Sequence, residues 1–206
     1  MAAMGRDIKL AEERISGYQN FVNKLWNAAR FVQMNLAADP RNPGTSRALE
    51  EANLGFAERW IRSRMAFTIA EARQAIDSYR FNDYANVIYQ FTWHEFCDWY
   101  IEMSKLALNS SDPAEASRSR LLLRELLEQI LLLLHPIMPF VTEEIWQVFG
   151  EKRQSIMTHS YPTAERGWRD EAVENYMSSL MNVIRAIRNL RTELNCPPGK
   201  EVKVIF

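Results

Sequence analysis

The chain has 206 residues, 47% of them hydrophobic and 25% charged, a balance that suits one globular domain with a sizeable core. Its two cysteines, Cys97 and Cys196, are too few for a disulfide framework, and no secretory leader pattern opens the chain, which together predict a reducing, cytoplasmic setting. A formal net charge of -1 argues against a generic polyanion binder, and the most apolar run, Leu121 to Leu134, is interrupted by Arg124, Glu125 and Glu128, so no membrane crossing is expected.

Helical periodicity dominates, and the breakers between periodic runs predict an all-α bundle of about five to six helices. The first helix is expected from about Ala11 to Leu36, where Asp39-Pro40 and the loop RNPGTS stop it. In its stretch NKLWNAARF, from Asn23 to Phe31, helical register places Gly17, Asn20, Lys24, Asn27 and Phe31 on one stripe, with Tyr18, Val22, Leu25, Ala29 and Val32 beside it. The second stripe calls for a core. The first carries a cation, amides that both donate and accept, and a flat ring, which suits unpaired nucleobases. A polar stripe beside an apolar one is also what an ordinary surface helix shows, and only Phe31 is out of place on that reading.

A second helix is expected from near Asn53 to Ser78, with Phe56, Trp60, Met65 and Ile69 near one side. Asn82 is a candidate cap for a third, from Asp83 to about Leu106, whose residues Tyr84, Phe91, Trp93, Phe96, Trp99 and Tyr100 point in every direction and predict a central, buried helix. Glu95 and Asp98 within it then need partners, and Arg62 or Arg64 are the expected ones. Asp112-Pro113 opens a fourth helix that His135-Pro136 ends. Pro139 opens a short fifth, with Gly150 as an expected left-handed cap, and Asp170 opens a sixth that Asn195 and Pro197-Pro198 stop. Only the stretch around Ile156 and the terminal VKVIF, Val202 to Phe206, read as extended. A strand without its partner is marginal, so the chain is expected to continue beyond both ends.

Enzymatic chemistry finds little support. His94-Glu95-Phe96-Cys97-Asp98 resembles a zinc-protease helix but has Asp98 where the second histidine belongs, and none of His94, His135 and His159 follows a glutamate by three residues, as a di-iron bundle needs. No phosphate-binding loop or nucleophile elbow is present. Arg185, Arg188 and Arg191 form a basic edge on the sixth helix, which reads either as a solvated edge or as a docking surface for RNA phosphate or a neighbouring domain. Because the ends of the chain are mildly basic and its middle acidic, any RNA contact is expected to be local, resting on stacking and base edges.

Four segments in order, NKLWNAARF, FCDWYIE (Phe96 to Glu102), LLHPIMPFVTEEIW (Leu133 to Trp146) and IRNLRTELNCPPGKEVKV (Ile187 to Val204), resemble the valyl-tRNA synthetase family over nearly the whole chain. Isoleucyl and leucyl relatives share the bundle and the HP-x-x-PF element, but the isoleucyl enzymes carry a different third helix. The resemblance implies an anticodon-binding helical bundle over residues 11–195, a remnant of the linker after the catalytic domain over 1–10, and over 196–206 a truncated strand leading toward the C-terminal region. It implies as partners the anticodon stem-loop of tRNA-Val and the catalytic domain of the same polypeptide, with no membrane and a monomeric state. The ATP and magnesium used by the family belong to nucleotide-binding motifs absent here, so neither cofactor nor catalytic residue is expected in this segment. Carried over by motif, Lys24 is expected as a phosphate or base-edge donor, Phe31 as a stacking platform and Ile101 as an apolar wall. Asn27 is added as a nearby amide reader and Arg14 as a weaker candidate off the stripe. The competing expectation is a protein-interaction bundle with no RNA role.

Overall fold

The computed structural model describes residues 12–37, 49, 54–149, 154–164, 167–197 and 199–203, with side chains of the first helix from Ile15 onward. Every regular element among them is helical. The first, α1 (Glu12–Ala37), buries Phe21, Leu25, Ala28, Ala29 and Val32 at the predicted register. The expected loop RNPGTS lies outside the described residues, as do the start of the second predicted helix and Gly150.

Helix α2 (Phe56–Asp77) begins at an extended Gly55 whose N–H donates to the Glu58 carboxylate at 2.7 Å, which satisfies a donor the helix cannot. It buries Trp60, Ile61, Met65, Ile69, Ala72 and Ala75, whereas Phe56 stays on the surface, edge-on to Tyr176. Tyr79 ends it in the left-handed region (φ 56°), with the Arg80 N–H returning to the Ala75 carbonyl at 2.8 Å, a closure that glycine more often makes. Helix α3 (Phe81–Gln90) then starts two residues before the expected point. Its N-cap is Arg80, and Asn82 spends its amide on the Asp83 carboxylate at 2.9 Å instead of capping.

At Phe91 the backbone switches to a π-helix, π1 (Phe91–Tyr100), and returns to α in α4 (Ile101–Leu108), so one continuous rod carries three registers. The wider turn sends Phe91, Phe96 and Tyr100 into the core while His94 is exposed and Trp93, Cys97 and Trp99 lie half-buried at its margin. The rod is therefore not the all-round buried helix that its composition predicts. That place belongs to α5 (Pro113–Leu134), which packs against α1, α2, α3, α4 and the following helix. Asp112 caps it as expected, accepting from the Ala114 N–H at 2.9 Å ahead of Pro113.

Helix α6 (Pro139–Val148) holds the segment after it through Glu143, which accepts from the Ser155 hydroxyl at 2.8 Å and the Ile156 N–H at 3.1 Å. Those bonds wind Ile156–Thr158 into a short 3-10 turn in place of the expected extended segment. Asp170 caps α7 (Glu171–Glu193), accepting from the Val173 N–H at 3.0 Å, and Asn195 closes it in the left-handed region. Residues 201–203 form no strand, and the rest of VKVIF lies outside the described residues. No helix among the described residues is long and apolar enough to cross a membrane.

A half-buried ion network ties α7 to the bundle. Arg64 donates through Nε and Nη2 to both Glu95 oxygens at 2.8 Å and through Nη1 to Glu174 at 3.1 Å, joining α2, π1 and α7. Although burial alone would lower it, the Arg64 pKa is raised by its bonds to Glu95 and Glu174, so the cation is held firmly. The expected Arg64–Glu95 pair is thus present. Asp98 is different: it turns away from both arginines, and Arg62 instead lies 4.2 Å from the Trp168 ring.

Candidate nucleic-acid interface

Asp98 finds its cation on another helix. The Lys24 ammonium, on α1, donates to Asp98 Oδ1 and stands 3.9 Å above the centroid of the Trp93 ring, while His94 Nδ1 lies 3.4 Å from Asp98 Oδ2. The π register makes this possible, because Trp93, His94 and Asp98 emerge together on the side of the rod that meets α1. Phe21, Tyr89 and Trp93 form a nearly stacked aromatic floor beneath the cation, with centroids 5.2 to 6.3 Å apart. Lys24 and Asp98 remain accessible, at 26% and 40% of their side-chain surface. Side by side they present a donor and an acceptor over an aromatic surface.

Of the other expected site residues, Asn27 is exposed one turn further along α1. Phe31 is half-buried and packs against the hydrophobic core, and the helix is tied there by the Asn35 amide, which donates to the Phe31 carbonyl at 2.8 Å. Ile101 retains only 8% of its surface and belongs to the same core cluster as Leu25 and Val32. Arg14 lies on α1, but its side chain is outside the described set. The structure thus brings Lys24 to Asp98, His94 and Trp93, places Asn27 and Phe31 along the same helix, and sets Ile101 at the rod's inner edge. Trp26 is 39% exposed beside Asn27, while Trp93 and Trp99 are half-buried and pack against the core.

Sequence reasoning missed Asp98 as a surface group paired with Lys24, and Trp93 as the ring beneath the Lys24 ammonium. The four-residue spacing of His94 and Asp98 was visible, but the side of the rod they occupy depends on the π turn. Cys97, next to this cluster, has its thiol pushed up to about 12 by burial, with Lys24 opposing the shift, which disfavours the thiolate. No group of three or more metal-ligating side chains gathers among the described residues.

Adjoining this cluster, a groove of about 730 Å³ lies between π1 and α7. His94, Asp98 and Trp99 line it from π1, and Arg185 and Arg188 from α7. The two guanidinium carbons lie 5.7 and 5.5 Å from the Trp99 ring centroid.

An all-helical bundle with this polar and aromatic face is that of an anticodon-binding domain: residues 58–206 match the model of the family described as "Anticodon-binding domain of tRNA ligase", and the chain belongs to that family. Over its whole length it is similar to valine–tRNA ligases, 48% identical to that of Syntrophotalea carbinolica over 208 residues and 49% identical to that of Geobacter sulfurreducens over 212 residues. The valine–tRNA ligase of Coxiella burnetii is 42% identical over 212 residues. The chain spans 22–23% of the length of these relatives.

Proposed function

We propose that the bundle recognises the anticodon loop of tRNA-Val, as the RNA-reading part of an enzyme that joins valine to that tRNA with ATP and magnesium in the cytoplasm. The chemistry of ligation lies outside this chain, which contributes selection of the RNA. The observation that carries the reading is the Lys24–Asp98 pair, with the Lys24 ammonium resting on the Trp93 ring. Valine codons demand adenine and cytosine at the middle and third anticodon positions. Each of these bases offers an exocyclic amino donor beside a ring-nitrogen acceptor, the complement of an Asp98 acceptor beside a Lys24 donor. A keto base held in the same orientation inverts donor and acceptor and leaves both side chains facing like groups. A carboxylate is a poor choice for a phosphate-binding surface, and its presence here favours base-edge reading.

In this reading Phe31 and Trp26 supply further apolar surface along α1, Asn27 an amide that adapts to either edge, and Ile101 the inner support that keeps Asp98 in place. Arg14 is a further candidate at the start of the helix. The larger polypeptide's catalytic domain is the second partner, with the segment itself monomeric. Nuclease footprinting of tRNA-Val with the chain tests the assignment: protection confined to the anticodon loop is expected, and a footprint elsewhere, or none, would refute it.

A further inference from the structure

The groove between π1 and α7 has a distribution of charge that the anticodon reading does not use. Its carboxylates are already committed: Glu95 and Glu174 to Arg64, with Glu174 also 3.5 Å from Arg169, and Asp98 to Lys24. Arg185 and Arg188, by contrast, lie within ion-pair distance of no carboxylate among the described residues, and both are exposed. Arg185 donates only to the Asn182 amide oxygen, at 3.2 Å. Both guanidiniums are held near the Trp99 ring, which restricts their motion while leaving their N–H groups to solvent. Arg185 and Arg188 therefore make the α7 side of the groove locally cationic, within a lining that as a whole sets three arginines against three carboxylates.

The groove is also continuous with the candidate base-reading face, because His94 and Asp98 line both. We infer that Arg185 and Arg188 bind the phosphodiester backbone of the RNA strand as it leaves the Lys24–Asp98 pair, so that a base-reading side and a phosphate-holding side adjoin along π1. Planar guanidiniums with free N–H edges match phosphate oxygens, and contacts of this kind set register without reading sequence. The inference rests on the anticodon reading for its RNA.

The test compares the chain with its R185Q/R188Q and R185K/R188K variants, measuring affinity for tRNA-Val and for the same tRNA with altered anticodon bases across a range of salt. The glutamine pair is expected to lower affinity about tenfold at low salt and equally for both RNAs, and to reduce the slope of log affinity against log salt by about 1 to 2. The lysine pair should recover most of the slope. If the unaltered chain discriminates between the RNAs but the glutamine pair changes neither affinity nor slope, the phosphate assignment is wrong while the anticodon reading stands, and the groove is left as a protein-facing surface. Weaker binding with an unchanged slope would reduce the arginines to packing on Trp99 and equally overturn it. Absence of RNA binding by the unaltered chain would remove both readings. Circular dichroism of each variant checks that α7 is intact.

Discussion

Lys24 and Asp98, 74 residues apart in sequence, share a hydrogen bond across the contact between α1 and π1, with the Lys24 ammonium resting on the Trp93 ring. Both side chains are too exposed for the pair to matter greatly to stability, since accessible ion pairs contribute about 0 to 1 kcal/mol. Its value is as a preset donor and acceptor.

Asp98→Asn should therefore unfold at a urea midpoint close to that of the unaltered chain, within about 1 kcal/mol, yet lose selectivity. The amide can donate as well as accept, so a keto base in place of adenine or cytosine is no longer penalised. Anisotropy titrations with cognate and base-changed tRNA should show the ratio of affinities falling about tenfold, in line with the cost of one misread base. An unchanged ratio would remove Asp98 from the reading.

Phe31 has two tasks, which complicates the obvious substitution. Because its ring packs on the core, Phe31→Ala is expected to cost about 1 to 2 kcal/mol of stability, less than a fully buried ring, besides weakening RNA binding. Phe31→Leu separates the effects. It should keep stability within about 1.5 kcal/mol while still losing about 1 to 3 kcal/mol of binding to tRNA, because the aliphatic chain fills the site but offers no stacking face. Equal binding by the leucine variant would make Phe31 a packing residue only.

Arg64→Met tests what holds α7 against the bundle. Removing the guanidinium leaves Glu95 and Glu174 half-buried with their shared cation gone. Since these two carboxylates keep 14 to 18% of their side-chain surface, the loss should fall near or below the ~3 to 5 kcal/mol of a fully buried pair. Hydrogen exchange should show the amides of α7 opening before those of α5. Exchange that rises evenly over the whole chain would contradict a local role.

Acid should release the start of α7. Arg59 donates to Asp170 and the Val173 N–H adds a second bond, and together they hold the Asp170 carboxyl below the usual aspartate range. A folded pKa below the unfolded value of about 3.9 gives stability that is complete above that value and is lost as pH falls through the folded one. The difference in urea midpoint between the unaltered chain and Asp170→Asn should be constant from pH 7 to about pH 5 and close below about pH 4. A difference that persists at pH 2 would assign the effect to the cap alone.

The helix ends were readable where the residue itself does the ending: Asp112, Asp170 and Asn195 act through their own side chain or backbone and behave as predicted. Asn82 shows the limit of that reasoning, because an adjacent carboxylate, Asp83, took its amide. The apolar face of α1 followed from a periodicity that the structure keeps from Phe21 to Val32. What could not be read was the rod. A regular α period scatters its aromatics over all faces, and only the π turn from Phe91 to Tyr100 sorts Phe96 and Tyr100 inward from Trp93, His94 and Asp98 outward. The meeting of Lys24 with Asp98 depends on that sorting and on a contact between distant helices, so no local pattern announces it.

The central claim is base-specific reading of the anticodon by this bundle, and the most direct measurement is the affinity of the chain for tRNA-Val beside the same tRNA with its middle and third anticodon bases exchanged for keto bases. Each exchange should weaken binding by about 1 to 3 kcal/mol, with Lys24→Met and Asp98→Asn each shrinking that penalty. Equal affinity of the unaltered chain for all of these RNAs would contradict the account.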